Sequence, residues 1–391
     1  MNYILFDGPA RNNLLPFTFT RPVADIRVGI LTIREKWERV LETTITTVTE
    51  DYLSEKYPMV ELDCNVMINA SFLPNYTLVG IIKDLKENQV VFSGDDMIAF
   101  FAKDTQDTID FDTYEAIEYR GPVLKIQHTW DIFSFNGEEI QADFELLTQN
   151  RISQPIPSTC NVIGADRIFI EEGVVLEFAT LNAASGPIYI GKDALIMEGC
   201  LIRGPFALCN DSVMKMGTKI YGPTTVGPYS KVGGEVNNSV IFGYSSKGHE
   251  GYLGNSVIGE WCNLGADTNT SNLKNNYAEV KLWDYENESF AKTGLQFCGL
   301  MIGDHSKCGI NTMFNTGTVV GVSANIFGSG FPRNFVSSFS WGGSSGFTTY
   351  LTKKAFEVAE VVMKRRQIEF TAVDKSILEH VFEATKKWRK S

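Results

Sequence analysis

The 391-residue chain has no C-x-x-C pair, only four histidines, no glycine after Gly346 and no apolar run near the roughly 18 to 20 residues that cross a bilayer. Seven cysteines without close pairing fit neither a disulfide framework nor a zinc ribbon, so reduced thiols are expected. His128, His249, His305 and His380 include no closely spaced pair, which argues against a zinc hydratase that holds its metal through three histidines. The opening Met1-Asn2-Tyr3-Ile4-Leu5-Phe6 lacks the basic start and sustained apolar stretch of a secretory signal, so a cytoplasmic location and no membrane partner are expected. Net charge is −12, with ten Lys/Arg against six Asp/Glu in residues 351–391 and 25 against 41 before them. An acidic body lacks the continuous basic face that nucleic acid requires, whereas a basic tail can still meet a small phosphorylated ligand.

The length favours two or three domains. Six glycines fall in residues 1–150 and 28 in 151–350, a shift that marks boundaries. Residues 1–150 mix β-rich runs such as Tyr3-Ile4-Leu5-Phe6 and Val90-Val91-Phe92 with a helical stretch at 30–41, the α/β pattern. Residues 336–391 read as a linker and two helices that break near 370–374, with apolar spacing at Phe356, Ala359, Val362 and Met363.

The middle region, 151–335, repeats. Every sixth residue from Ile190 is aliphatic: Ile196, Ile202, Leu208, Met214, Ile220, Val226 and Val232. With aliphatics at about a third of positions, chance agreement is on the order of one in several thousand per register. The period returns at Ile302, Cys308, Phe314, Val320 and Ile326, and briefly at Val162, Ile168 and Val174. Six matches neither a helix nor a single strand; it is the hexapeptide β-helix pattern, a triangular prism with one aliphatic per side pointing inward. Burying each contributes about 1.5 to 3 kcal/mol, which makes the stack the main stabilising element of the region. Cys200, Cys209, Cys262 and Cys308 occupy hexad positions, so packing rather than reactivity is expected of them. A polar stretch from Asn272 to Cys298 interrupts the repeat and is expected to leave the prism as an excursion that contributes to binding.

Within the repeat stand Glu235-Val236-Asn237-Asn238-Ser239, His249-Glu250-Gly251-Tyr252-Leu253-Gly254-Asn255, Ile258-Gly259 and Asn263-Leu264-Gly265-Ala266-Asp267-Thr268-Asn269-Thr270-Ser271-Asn272. This run resembles the acetyltransferase half of the bifunctional N-acetylglucosamine-1-phosphate uridyltransferase/glucosamine-1-phosphate N-acetyltransferases and their archaeal sugar-1-phosphate nucleotidylyltransferase relatives. The resemblance implies a left-handed parallel β-helix after an α/β nucleotidyltransferase-like domain, assembled as a homotrimer with sites for a sugar phosphate and acetyl-CoA between prisms. Carried over by position, His249 resembles the catalytic base, Tyr252 and Asn272 the sugar-contacting residues, and Gly265 and Ala266 positions near the acetyl-CoA thioester. The family's lysine after Glu-Val is Asn237 here, and the tyrosine that follows its last asparagine is Leu273. Lys215 and Lys219 are the nearest cations that can meet a sugar phosphate in place of that lysine; an exposed prism face explains them equally well.

At the N-terminus, Phe6-Asp7-Gly8-Pro9-Ala10-Arg11 and Arg21-Pro22 echo the order of a nucleotidyltransferase strand, glycine loop and downstream basic residue, without the family's double glycine. Gly8, Arg11 and Arg21 are thus candidate nucleotide-binding residues. An arginine holds phosphate oxygens in a bidentate fork, while a strand-loop salt bridge is the plainer reading. Ser93-Gly94-Asp95-Asp96 offers Asp95 as a Mg2+ ligand or an ordinary acidic turn. Transfer of an acetyl group to an amine needs a base, and an imidazole with an ordinary pKa of ~6.5 suits that task. The function expected is acetyl-CoA-dependent N-acetylation of an amino-sugar 1-phosphate, with nucleotidyl transfer giving a UDP-sugar as a companion activity. The alternatives are nucleotidyl transfer alone, with the prism as trimerisation scaffold, and a non-catalytic sugar-nucleotide-binding module. The basic tail is expected to cap the trimer and can approach the phosphates of coenzyme A.

Overall fold

The computed structural model describes residues 1–103 and 110–389. Lys390 and Ser391, the end of the expected C-terminal extension, lie outside the described residues.

The N-terminal runs form six strands: β1 (Asn2–Phe6), β2 (Thr46–Val48), β3 (Cys64–Asn69), β4 (Gln89–Ser93), β5 (Asp96–Lys103) and β6 (Glu115–Glu118), in the order β2-β1-β3-β5-β4-β6. β1 pairs in parallel with β2 and β3, and β5 runs antiparallel between β3 and β4. The helical stretch expected over 30–41 forms as the helix Ile33–Leu41, three residues shorter at its start, because Thr32 and Glu35 close a capping box there. At the carboxyl end of β1 the chain turns through Asp7-Gly8-Pro9, the place where open α/β sheets present ligands.

Residues 161–349 wind into three faces of six, nine and ten strands, parallel except for the closing hairpin, a β-solenoid of the left-handed β-helix type. Ile188 pairs with Phe206 and Phe206 with Thr224, so one coil takes 18 residues, or three hexads. The eight aliphatics from Ile190 to Val232 are each exposed by 3% or less and form one continuous column with Ile302, Cys308, Phe314, Val320 and Ile326. The six-residue step fails after Val232 for a physical reason. The corner there shrinks to Gly233-Gly234, and the next coil closes in 15 residues, pairing Val232 with Lys247. Gly234 adopts a φ of +74°, and a Cβ on Gly233 would stand 2.8 Å from the Gly248 backbone, so only glycine turns this corner. The column therefore passes through Lys247, between Val232 and Leu264.

The excursion leaves the prism as expected between Asn272 and Cys298. Its strands Lys281–Asp284 and Ser289–Lys292 pair antiparallel, and Val280, Leu282 and Tyr285 bury themselves in the N-terminal core. The prism itself continues past residue 335 through the hairpin Ser340–Gly343 and Gly346–Thr349.

The N-terminal domain packs on the nine-stranded face, where one hydrophobic core joins Phe17 and Leu14 to Phe242, Val257 and Met301. Polar locks accompany it: Arg27 Nε donates to the Phe242 carbonyl at 3.0 Å, and Thr225 Oγ1 donates to the Gly29 carbonyl at 2.9 Å. The basic tail forms helices Thr352–Lys364 and Ala372–Ala384. They bury Phe356, Leu378 and Val381 in that same core, Lys56 pairs with Asp374 at 2.8 Å, and Tyr52 stacks on His380 at 3.8 Å. These helices thus seal the junction between the two domains of their own chain.

The column makes a direct prediction. Ile220, 2% exposed, loses its contacts above and below in Ile220→Ala, and the variant should lose about 2 to 5 kcal/mol of unfolding free energy, read from the urea midpoint.

Candidate functional site

Because the N-terminal domain covers the nine-stranded face, the six-stranded face remains open, and the expected site residues gather there. Its strands Leu201–Arg203, Lys219–Tyr221, Glu235–Asn237 and Tyr252–Gly254 lie side by side, with Lys219 beside Glu235 and Glu235 beside Tyr252. Strand alternation turns Val236 and Leu253 into the column and their neighbours outward. Asn272 comes from the following coil and donates Nδ2 to the Tyr252 hydroxyl at 2.9 Å and to Asn255 Oδ1 at 2.8 Å. Burial pushes the Tyr252 phenol up, while the hydrogen bond from Asn272 pulls it down. Gly254 lies beneath this pair, and a Cβ there would stand 2.7 Å from Asn272 Nδ2. Asn237 leans over Gly222, next to Tyr221, whose phenol burial and the adjacent Glu235 raise to about 12. Asn237 therefore supplies an amide where the resembled family has a cation.

His249 occupies the edge where the ten-stranded face turns into this one, between strands Ser246–Lys247 and Tyr252–Gly254. Its imidazole is exposed and makes no hydrogen bond or ion pair among the described residues. The next coil stacks Gly265-Ala266-Asp267-Thr268 on the same edge: the Asp267 amide donates to the Glu250 carbonyl at 3.0 Å. The Gly265 amide is spent on the Cys308 carbonyl at 3.1 Å, whereas the Ala266 amide donates to no group among the described residues. An exposed base and a free backbone donor thus sit one coil apart. Lys219 reaches the same corner, with its ammonium 3.5 Å from Glu250 Oε2.

Lys247 was not singled out in the sequence, and it supports His249 from inside. Its ammonium donates to the carbonyls of His249 at 2.6 Å and Glu250 at 3.2 Å, and burial pushes its pKa down to about 8. The signal was a lysine in phase with Val232 and Leu264, hidden because the coil is shortened there.

The N-terminal candidates do not converge in the same way. Arg11 lines a cleft of about 400 Å³ with Asp7, Gly8, Glu50 and Asp51. Its guanidinium is already engaged by Asp7 at 3.0 Å, Glu50 at 3.3 Å, the Thr18 carbonyl at 2.7 Å and the Tyr52 hydroxyl at 2.9 Å. Burial pushes the Asp7 carboxyl up, against the lowering pull of Arg11, Thr49 and the Val23 amide. Gly8 is small because Asn69 packs against it, a Cβ there standing 2.7 Å from the amide group. Arg21 is expected in a phosphate site, but the structure commits its guanidinium to the domain junction, in ion pairs with Asp304 and, at 3.3 Å, with Glu260 of the prism. Asp95 sits exposed at the tip of the β4–β5 hairpin, outside the Gly8 and Arg11 cleft. No three His, Cys, Asp or Glu side chains gather to hold a metal among the described residues. His305 lies at the three-way junction beside Arg21, Lys56 and Asp374, its ring 6.2 Å from that of Trp261. Its Nδ1 reaches neither solvent nor a partner, and burial pushes its pKa well below the usual imidazole value.

Comparison with known proteins agrees with both halves of this architecture. Residues 3–152 match the family model described as sugar nucleotidyl transferase. The bifunctional protein GlmU of Methanococcus maripaludis strain C5 is 26% identical over 220 residues, which cover 56% of this chain and 46% of that protein. The bifunctional sugar-1-phosphate nucleotidylyltransferase/acetyltransferase of Sulfurisphaera tokodaii is 28% identical over 215 residues, covering 54% and 47%. A solved Arabidopsis UDP-N-acetylglucosamine acyltransferase overlaps 55% of this chain and 80% of its own at 15% identity and a TM-score of 0.24, a likeness too slight to carry an argument. The molecule thus joins an α/β domain that matches the sugar nucleotidyl transferase model to a hexapeptide-repeat prism, and about half of the chain is similar to GlmU-type bifunctional proteins. It spans about half the length of the curated relatives it matches. No helix among the described residues is long and apolar enough to cross a membrane.

The buried Lys247 gives a pH signature. An unfolded lysine titrates near 10.4, and the folded one near 8, so between those values the unfolded side chain binds more protons and the contribution of Lys247 to stability rises with pH. Lys307, also pushed down to about 8 by burial, adds to the same slope. Buried thiols such as Cys209 and Cys262, which burial pushes up, pull the other way, so the lysine is read by difference: in urea unfolding at intervals from pH 7.5 to 10.5, the unaltered chain should gain stability relative to Lys247→Met as pH rises.

Proposed function

We propose that this chain transfers the acetyl group of acetyl-CoA to the amine of an amino-sugar 1-phosphate, with His249 as the base, in a cytoplasmic homotrimer. The observation that supports it most is the convergence of His249, Tyr252, Asn272 and Ala266 on one prism edge and its open face. An ammonium has no lone pair, so His249 takes the proton as the nitrogen attacks the thioester carbon. Charge builds on the thioester oxygen, within the reach expected of the Ala266 amide. The carbon–sulfur bond then breaks, and the imidazolium returns its proton to the departing thiolate. Tyr252 and Asn272, already held together at 2.9 Å, orient the sugar hydroxyls, and Lys219 exchanges Glu250 for the sugar phosphate.

The trimer reading draws support from the same edge. Met216 and Ile310 stand in line with His249 and Ala266 and are 65% and 69% exposed, an apolar strip that a neighbouring prism covers.

A companion nucleotidyl transfer from UTP, using Mg2+ delivered with the nucleotide, is the second reading, and the family match over residues 3–152 favours it. The cleft beside Gly8 and Arg11 is its place, although Arg11 must first release Asp7 or Glu50 to meet a phosphate.

With glucosamine 1-phosphate and acetyl-CoA, the protein should release free thiol, and His249→Ala should lower the rate about 10²- to 10⁴-fold. No thiol release from the unaltered chain, or an unchanged rate in the variant, overturns the acetyl-transfer reading. Pyrophosphate release from UTP and a sugar 1-phosphate by that same variant separates the second activity from the first.

A further inference from the structure

The excursion does more than fold away. Between its hairpin and the last coil of the prism opens a cleft of about 760 Å³, within the size range of small-molecule sites. Three cations line it, Lys274, Lys281 and Arg333, and no carboxylate does. None of the three takes part in an ion pair among the described residues, in a chain where acids outnumber bases 47 to 35. Lys274 donates only to the Glu279 carbonyl, at 2.9 Å, while the Glu279 carboxylate is occupied by Lys292 and the Gly294 amide. The rest of the wall is Trp283, Phe290 and Phe335, with the uncharged polar side chains of Thr316 and Asn334. Trp283 stacks on Phe335 at 4.2 Å and meets Phe290 edge-on at 5.5 Å, and Phe290 is 42% exposed. Trp283 also carries a buried indole N–H with no hydrogen-bond partner. Three cations without ion pairs around one cavity give it a positive potential that favours an anion. An aromatic wall without carboxylates adds a surface on which a planar ring packs.

We propose that this cleft binds the phosphorylated end of a nucleotide, with the phosphates among Lys274, Lys281 and Arg333 and the base against Phe290 and Trp283. The site is separate from the His249 edge and does not depend on acetyl transfer taking place there. Two sources share this chemistry: the nucleotide end of coenzyme A, and a nucleoside diphosphate such as the one that carries a sugar.

Calorimetric titration of the full chain with adenosine 3′,5′-bisphosphate, UDP and inorganic pyrophosphate tests it. At least one nucleotide should bind more tightly than pyrophosphate. Lys281→Glu and Arg333→Glu, both on exposed residues, should each weaken that binding about tenfold, equivalent to roughly 1.4 kcal/mol. Phe290→Ala should weaken the nucleotide and leave pyrophosphate unaltered. A preference for the bisphosphate assigns the cleft to coenzyme A, and a preference for UDP assigns it to a nucleoside diphosphate. Binding should persist in His249→Ala, so loss of acetyl transfer leaves this result intact. The proposal is overturned if neither nucleotide binds, if pyrophosphate binds as well as both, or if the charge reversals leave affinity unchanged.

Discussion

The molecule depends on the close stacking of inward aliphatic side chains, one coil upon the next. Each coil offers short sides only two to four residues long, which have no stability alone; the column from Ile168 to Val336 turns these sides into one structure. Everything functional is then placed by vertical neighbours. His249 and Ala266 are 17 residues apart in the chain and one coil apart in space. Tyr252 and Asn272 meet across Gly254 because two successive coils bring them to the same height.

Where the column departs from regularity, chemistry collects. The corner at Gly233-Gly234 shortens a coil and admits Lys247 to the interior, and that lysine grips the carbonyls of the His249 turn. A buried ammonium costs stability unless its donors are used, so its presence ties the geometry of the turn to the integrity of the prism. The second departure, the excursion, brings aromatic rings and cations to the end of the prism while its own apolar residues anchor in the N-terminal core.

Much of this was legible in the sequence. The hexad period identifies the prism, since few other architectures place an aliphatic at every sixth residue, and the His249 to Asn272 motif marks the edge and face that come together. The α/β character of the first region follows from its strand and helix patterns. The roles of the basic residues were not legible. Arg11 and Arg21 follow a strand and a loop as phosphate-binding residues do, yet Asp7, Glu50, Asp304 and Glu260 engage them, and two of these partners lie more than 230 positions away. The burial of His305 was not legible either, because the period shows which way a side chain leaves the prism, and not what then covers it.

The sequence by itself determined the repeat, the inward and outward alternation and the residues available at each corner, because these follow from local periodicity and the sizes of side chains. Only the tertiary structure decided which face stays open, which cations remain free to meet a phosphate, and that the C-terminal helices close the domain junction. Those outcomes rest on contacts between distant segments, where burial selects a partner from the whole chain and no spacing along it records the choice.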